Sequence, residues 1–190
     1  MRLFHFSDDP NIARFEPRTP PHRPEVEALV WAVDEANQAT YLFPRECPRI
    51  LLWPTPETNV EDRALWWGNR RDTPLIAHVE WDWYERLRTH TLYRYELPSE
   101  TFEPLKDDAW MWVSRTSVEP LAMEPIPDIL TAMADAGVEL RLMRSLAPLW
   151  GAWESTVHFS GIRLRNSKTW PEAAPPPPVE IRSQNRQRNF

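Results

Sequence analysis

The sequence predicts an α+β fold: a single compact domain over residues 1–170, built on a mixed, mostly antiparallel sheet with short helices, then a disordered tail over 171–190. Three observations carry this. Short apolar or alternating runs, bounded by prolines and polar turn clusters, recur along the chain as strands do. Short segments with helix start and stop signals lie between them. Residues 171–190 hold the run Pro175 to Pro178 and a polar stretch rich in arginine, glutamine and asparagine, a composition that builds no core.

The elements follow in order. Residues 2–6 read as a first strand, and Ser7, Asp8, Asp9, Pro10 and Asn11 as a turn cluster. Four prolines between 17 and 24 force an extended surface loop. Residues 29–33 are apolar on both faces, which predicts a central strand. Asp34 is a favoured N-cap for a short helix over 35–43, which Pro44 and Pro48 break. A third strand spans 49–53. A helix over 58–67 follows, with Asn59 as its cap and Glu61 and Asp62 in its first turn. Residues 75–80 read as a strand, 82–88 as a helix, and 91–97 as an alternating strand closed by Pro98. After an acidic turn at Lys106, Asp107 and Asp108, a strand spans 110–118. The clearest helix covers 126–136, with Pro127 near its start and Gly137 at its end. A strand over 138–143, a helix over 146–156 and an extended segment over 157–164 complete the domain.

Composition excludes several classes. The chain has 190 residues, which fits one domain, and 42% are hydrophobic, enough for a sizeable core. Only 4 glycines are present, and neither G-x-G-x-x-G nor G-x-x-x-x-G-K-[ST] occurs, so a Rossmann dinucleotide site and a P-loop are ruled out. The one cysteine, Cys47, allows no disulfide within the chain and no cysteine-based zinc site. Between Glu46 and Pro48 it reads as buried and inert. His5, His22, His78, His90 and His158 contain no i, i+4 pair, so no local metal motif exists.

No apolar run is long enough to span a membrane, and the first residues hold no apolar signal core. These features favour a cytoplasmic protein. The net charge is −6, and −7 without the tail's +1, which argues against a nucleic-acid partner. All but two of the 22 basic residues, Lys106 and Lys168, are arginine, the side chain suited to bidentate capture of carboxylate or phosphate.

One constellation stands out for chemistry. The first strand carries His5 and ends in Ser7. The second ends in Asp34, and the segment after it carries Tyr41, Arg45 and Glu46. A later strand carries Ser114 and Arg115, with Glu119 just beyond. Polar side chains at the ends of buried strands commonly line the cleft of such a domain. A neutral His5 ring offers a hydrogen bond to a ribose or other polar ligand, although strict alternation with Phe4 and Phe6 would also turn it to water.

At these residues the chain resembles known proteins. The runs 3–12, 15–18, 30–34 and 41–49, then 92–98, 112–121 and 159–166, resemble an uncharacterised bacterial family, a domain of unknown function (DUF6886), over about residues 1–167. The order of an aromatic-His strand, a V-W-A strand and a later segment leading to V-E-P-L is also similar to the ADP-ribosyltransferase superfamily. That resemblance implies NAD as the ligand. It casts His5 on the ribose, Trp31 or Tyr41 on a ring, Arg18, Arg45 or Arg115 on the pyrophosphate, and Glu119 on the developing oxocarbenium charge. Two further readings stand beside it. The eleven tryptophans and many arginines suit a non-catalytic module for a protein or peptide, with Trp66, Trp67, Trp81 and Trp83 as its surface. Asp34 with Glu46, or Glu80 with Glu96, would serve as acid and base on another small polar substrate.

Overall fold

The computed structural model describes residues 1–20, 24–70, 72–105, 108–168 and 170. His22, residues 106 and 107 of the acidic turn and the tail from 171 lie outside the described residues. In chain order the strands are β1 (Leu3–Ser7), β2 (Val30–Asp34), β3 (Arg49–Trp53), β4 (Leu75–Glu80), β5 (Leu92–Leu97), β6 (Glu103–Leu105), β7 (Asp108–Ser114), β8 (Ala122–Ile126), β9 (Val138–Met143) and β10 (His158–Ile162). The α-helices are α1 (Val60–Trp67), α2 (Tyr84–Thr89) and α3 (Ile129–Asp135). The fold is α+β, and its pairing is mixed and mostly antiparallel as the sequence predicts. The strands divide between two sheets, of order β6-β7-β2-β1-β5-β8 and β10-β3-β4-β9. Only the β4–β9 pair is parallel among the pairs whose register is resolved.

The described residues divide into two compact units, one within 1–38 and 93–125, the other within 39–92 and 126–170. In the first, strand alternation sorts the side chains. Leu3, His5 and Ser7 lie opposite Leu97, Tyr95 and Tyr93, while Val30 and Ala32 lie opposite Ser114 and Trp112. This face packs beneath Phe15, Phe102 and Val118. Reciprocal backbone bonds between Phe15 and Val118, 2.8 and 3.0 Å, hold the covering loops together. The Tyr95 hydroxyl donates to the Asp9 carbonyl at 2.7 Å and accepts from the Ile12 amide at 3.2 Å.

In the second unit, Ile50, Leu52 and Ile76 from the sheet pack with Trp67, Leu146, Leu149, Ala152 and Val157. Each buried aliphatic side chain stabilises by about 1.5–3 kcal/mol relative to exposure. Asn59 caps α1 by accepting from the Asp62 amide at 2.7 Å. Asp62 in turn accepts from the amide and hydroxyl of Thr156, 2.7 and 2.6 Å, which ties the helix start to residue 156. The Trp67 indole donates to the Thr73 carbonyl at 2.9 Å.

Several expectations shift. The helix expected over 35–43 is a turn capped by Asp34 and a single 3-10 turn at Gln38–Tyr41, because Pro44 leaves no room to extend. The helix over 146–156 is 3-10 throughout Ala147–Glu154, with Pro148 in its first turn. The helix over 82–88 begins as a 3-10 turn at Trp81–Trp83 before α2. The 126–136 helix starts later, with Asp128 as its cap, because Ile126 belongs to β8. Gly137 ends it at φ 72°, a conformation side chains disfavour. β6 and β8 are edge strands that the sequence hid: each contains a proline, which an edge tolerates. Among the described residues, no helix is long and apolar enough to cross a membrane.

Two histidines sit in the second unit as neutral rings. His78 is buried and its Nδ1 donates to the Ile50 carbonyl at 3.3 Å. His158 stacks on Trp53 at 3.9 Å between ring centres. Burial lowers both from 6.5 to about 4, with the charge of Arg141 adding to the effect at His78. Between those values the unfolded chain binds protons that the native state refuses. Their stabilisation is therefore full above pH 6.5 and lost as pH falls towards 4. Thermal melts across pH will show the midpoint dropping over this window. His158→Phe, which keeps a ring on Trp53, will flatten part of the drop; an unchanged slope would remove His158 from the account.

Candidate functional site

The expected site residues divide between the two units. Eight lie in the first: His5, Ser7, Arg18, Trp31, Asp34, Ser114, Arg115 and Glu119. Tyr41 and Arg45 lie in the second.

In the first unit the side chains of His5 and Trp31 do not share a hollow. Phe4 pairs with Val33, so by alternation Trp31 projects from the Phe4 face and His5 from the Leu3 face. The ladder between β1 and β2 pairs only Leu3 and Phe4. Beyond it the His5 ring takes the place of a strand bond: Nδ1 donates to the Trp31 carbonyl at 2.8 Å, and Phe15 packs 4.7 Å from the ring centre. His5 thus closes the ladder.

The neighbours also serve local structure. The buried Ser7 hydroxyl accepts from the Asp9 amide at 3.1 Å. Asp34 accepts from the backbone and side chain of Asn37. The buried Ser114 hydroxyl donates to Thr101 at 3.0 Å. Arg115 pairs with Glu27 and Glu103, Arg18 makes a backbone bridge to Leu29, and Glu119 is exposed in the loop after Val118. Of the proposed carboxylate pairs, Glu96 is held by Arg2 and Glu80 accepts from Ser167.

The second unit concentrates its unusual chemistry at one end of the four-stranded sheet. Arg49, the first residue of β3, lies opposite Val79 near the end of β4 and opposite Ile162 at the end of β10. Glu80 at the end of β4 lies opposite Met143 at the end of β9. The start of β3 and the ends of the other three strands therefore form one rim. Arg45 and Glu46 enter it before β3, Trp81 and Asp82 leave it after β4, Arg144 follows β9, and Arg163 and Arg165 follow β10. On a chain of net charge −6, this rim carries twice as many cations as anions: those four arginines with Arg49 and Lys168, against Glu46, Glu80 and Asp82.

Arg49 anchors the rim. It is 3% exposed, and among the described residues no carboxylate pairs with it. Its guanidinium donates to the carbonyls of Cys47 at 3.2 Å and Thr40 at 3.4 Å, and lies 4.6 Å from the Phe43 ring and 5.7 Å from the Tyr41 ring. Its Nε finds no partner among the described residues. Burial lowers its pKa from 12.5 to about 10, and nearby Arg163 adds to the effect. The same burial pushes the Cys47 thiol up to about 12, against the pull of Arg49, so this cysteine is a poor nucleophile.

A hook after β10 closes over this anchor. Arg163 has φ 56°, the only positive value outside glycine among the described residues, in a region where strain gathers at functional sites. Its Nε donates to the Arg45 carbonyl at 3.3 Å. Asn166 donates to the Glu46 carbonyl and carboxylate, both at 2.8 Å. Glu46 also faces Arg163 at 3.9 Å and Arg165 at 3.6 Å. These are well beyond the 2.7–2.9 Å of a charge-assisted bond, so one carboxylate leaves two guanidinium groups unsaturated. Burial raises the Glu46 pKa, but Asn166 and the charges of Arg163, Arg165 and Arg45 outweigh it and hold the carboxyl below its ordinary value. Arg163 is lowered by burial and by Arg165 and Arg45, with Glu46 opposing. The hook continues to the Trp81 side of the rim, where the Ser167 hydroxyl donates to Glu80 at 2.7 Å and Lys168 pairs with Asp82 at 2.6 Å. There Glu80, Trp81, Asp82, Arg144 and Lys168 line a depression of about 140 Å³.

Sequence reading selected Tyr41 and Arg45 but missed Arg49, Arg163 and Arg165. The signal available was the arginine-rich pair of runs at 41–49 and 159–166, which nothing local in the sequence joins.

Fold and site together define a two-sheet α+β protein whose distinctive feature is an arginine-lined sheet end. The chain belongs to the family of unknown function DUF6886, whose family model matches residues 4–167. No curated protein and no solved structure matches it, so the similarity to ADP-ribosyltransferases gains no support.

The role of His5 is testable in isolation. His5→Phe keeps a ring beside Phe15 but leaves the Trp31 carbonyl without its donor. Denaturant unfolding will show a loss of about 1 kcal/mol, the ordinary worth of one such bond. A variant as stable as the parent would contradict the role.

Proposed function

We propose that the protein binds a small anionic ligand at the rim of the four-stranded sheet, between the 45–49 segment and the turn at Arg163 and Arg165. The observation that carries this reading is the set of guanidinium groups around Glu46, which sits 3.6 Å or more from the two it faces. Planar guanidinium forks suit oxyanions bidentately. The buried Arg49 behind them, which no carboxylate among the described residues pairs, adds positive potential. Tyr41 and Arg45, expected in the sequence as ligand contacts, belong to this site.

The alternatives have less behind them. An NAD-dependent transferase needs His5 and an aromatic ring on one ligand, and His5 is committed to the Trp31 carbonyl. A protein-binding surface built on the paired tryptophans loses Trp67, which is fully buried, and Trp66, which packs against the core.

Thermal melts in sodium pyrophosphate, against sodium chloride of equal ionic strength, test the proposal. A ligand that binds only the native state raises the midpoint progressively with concentration. Pyrophosphate will stabilise the parent over chloride, and Arg165→Ala will abolish most of the difference. Equal stabilisation of both proteins, or none in the parent, would contradict it.

A further inference from the structure

The anion site has an aromatic neighbour. Asn166, which reaches Glu46, and Lys168, which reaches Asp82, are separated by one residue. Ile162, just before Arg163, and Val79, two residues before Trp81, both lie opposite Arg49 on β3, and neighbouring strands are about 4.8 Å apart, so these two strand ends stand about 10 Å from each other. The guanidinium cluster and the depression beside Trp81 therefore flank the same strand at one end of the sheet.

Trp81 is 54% exposed, a large fraction for an indole that Tyr84 fixes in a T-shaped contact at 5.9 Å. The side chain of Arg144, exposed at the same depression, makes no hydrogen bond or ion pair among the described residues. An oriented aromatic surface and an unsatisfied cation beside an anion site are what a ring carrying a negative group requires.

We infer that the ligand is a phosphate monoester of an aromatic or heterocyclic ring, its phosphate held by Arg163 and Arg165 and its ring laid on Trp81. This rests on the anion-binding reading above and adds the organic half of the ligand. The spacing of the two strand ends sets the length of the connection.

Affinities of a series of phenylalkyl phosphates, with zero to three methylenes between ring and oxygen, against alkyl phosphates of equal length will test it by titration calorimetry. At least one phenyl member will bind about fivefold or more tighter than its alkyl counterpart, the size expected of one aromatic contact. Trp81→Ala will erase that preference while leaving alkyl phosphate affinity in place, Trp81→Phe will restore much of it, and Arg165→Ala will weaken both series alike. If the phenyl members gain nothing, or their gain survives Trp81→Ala, the inference fails and the anion site stands. If the parent binds neither series, both readings fail together.

Discussion

A guanidinium buried with no carboxylate partner among the described residues is the constraint on which the second unit's rim is organised. Arg49 is tied to main-chain carbonyls and aromatic rings, and these contacts all come from the segment that precedes it, residues 40–47. A charge in that position is costly unless its hydrogen bonds are met. The segment wraps it to meet part of that need through two carbonyls, and in doing so it presents Arg45 and Glu46 at the sheet end. The same burial that depresses Arg49 renders Cys47 inert. Thus the one thiol in the chain is a poor nucleophile, and the anion-binding role proposed for this rim rests on its charges.

The hook from Arg163 to Lys168 complements this anchor. Its residues reach back in succession to Arg45, Glu46, Glu80 and Asp82, so a short stretch of chain stitches β3 and β4 at their shared end. The left-handed conformation at Arg163 is the local expense of turning the chain directly after β10. Had a glycine stood there the turn would be easier, but no guanidinium would reach the rim. The arrangement exchanges some backbone comfort for a cation in place, which is how strain at binding sites is commonly maintained.

The contrast between what was legible in the sequence and what was not has physical causes. β1, β2 and β3 could be read directly because their apolar runs are short and bounded. The caps at Asn59 and Asp128 work through side-chain oxygens that the sequence displays, although the second lay within a helix expected to start earlier. β6 and β8 could not be read, since an edge strand need not alternate and each holds a proline. The site was harder still. His5 and Trp31 looked like partners because they lie on neighbouring strands, yet the register turns them to opposite faces, and register is a tertiary property. Arg45 and Arg163 stand more than a hundred positions apart, and only the pairing of β3 with β10 brings them together.

Crystals of the protein soaked in tungstate, a tetrahedral dianion with a strong anomalous signal, offer the sharpest check on the anion site. The account predicts an anomalous peak at the end of the four-stranded sheet, with oxygens about 3 Å from the guanidinium nitrogens of Arg163 and Arg165. Tungstate bound elsewhere on the protein with that sheet end empty would contradict it.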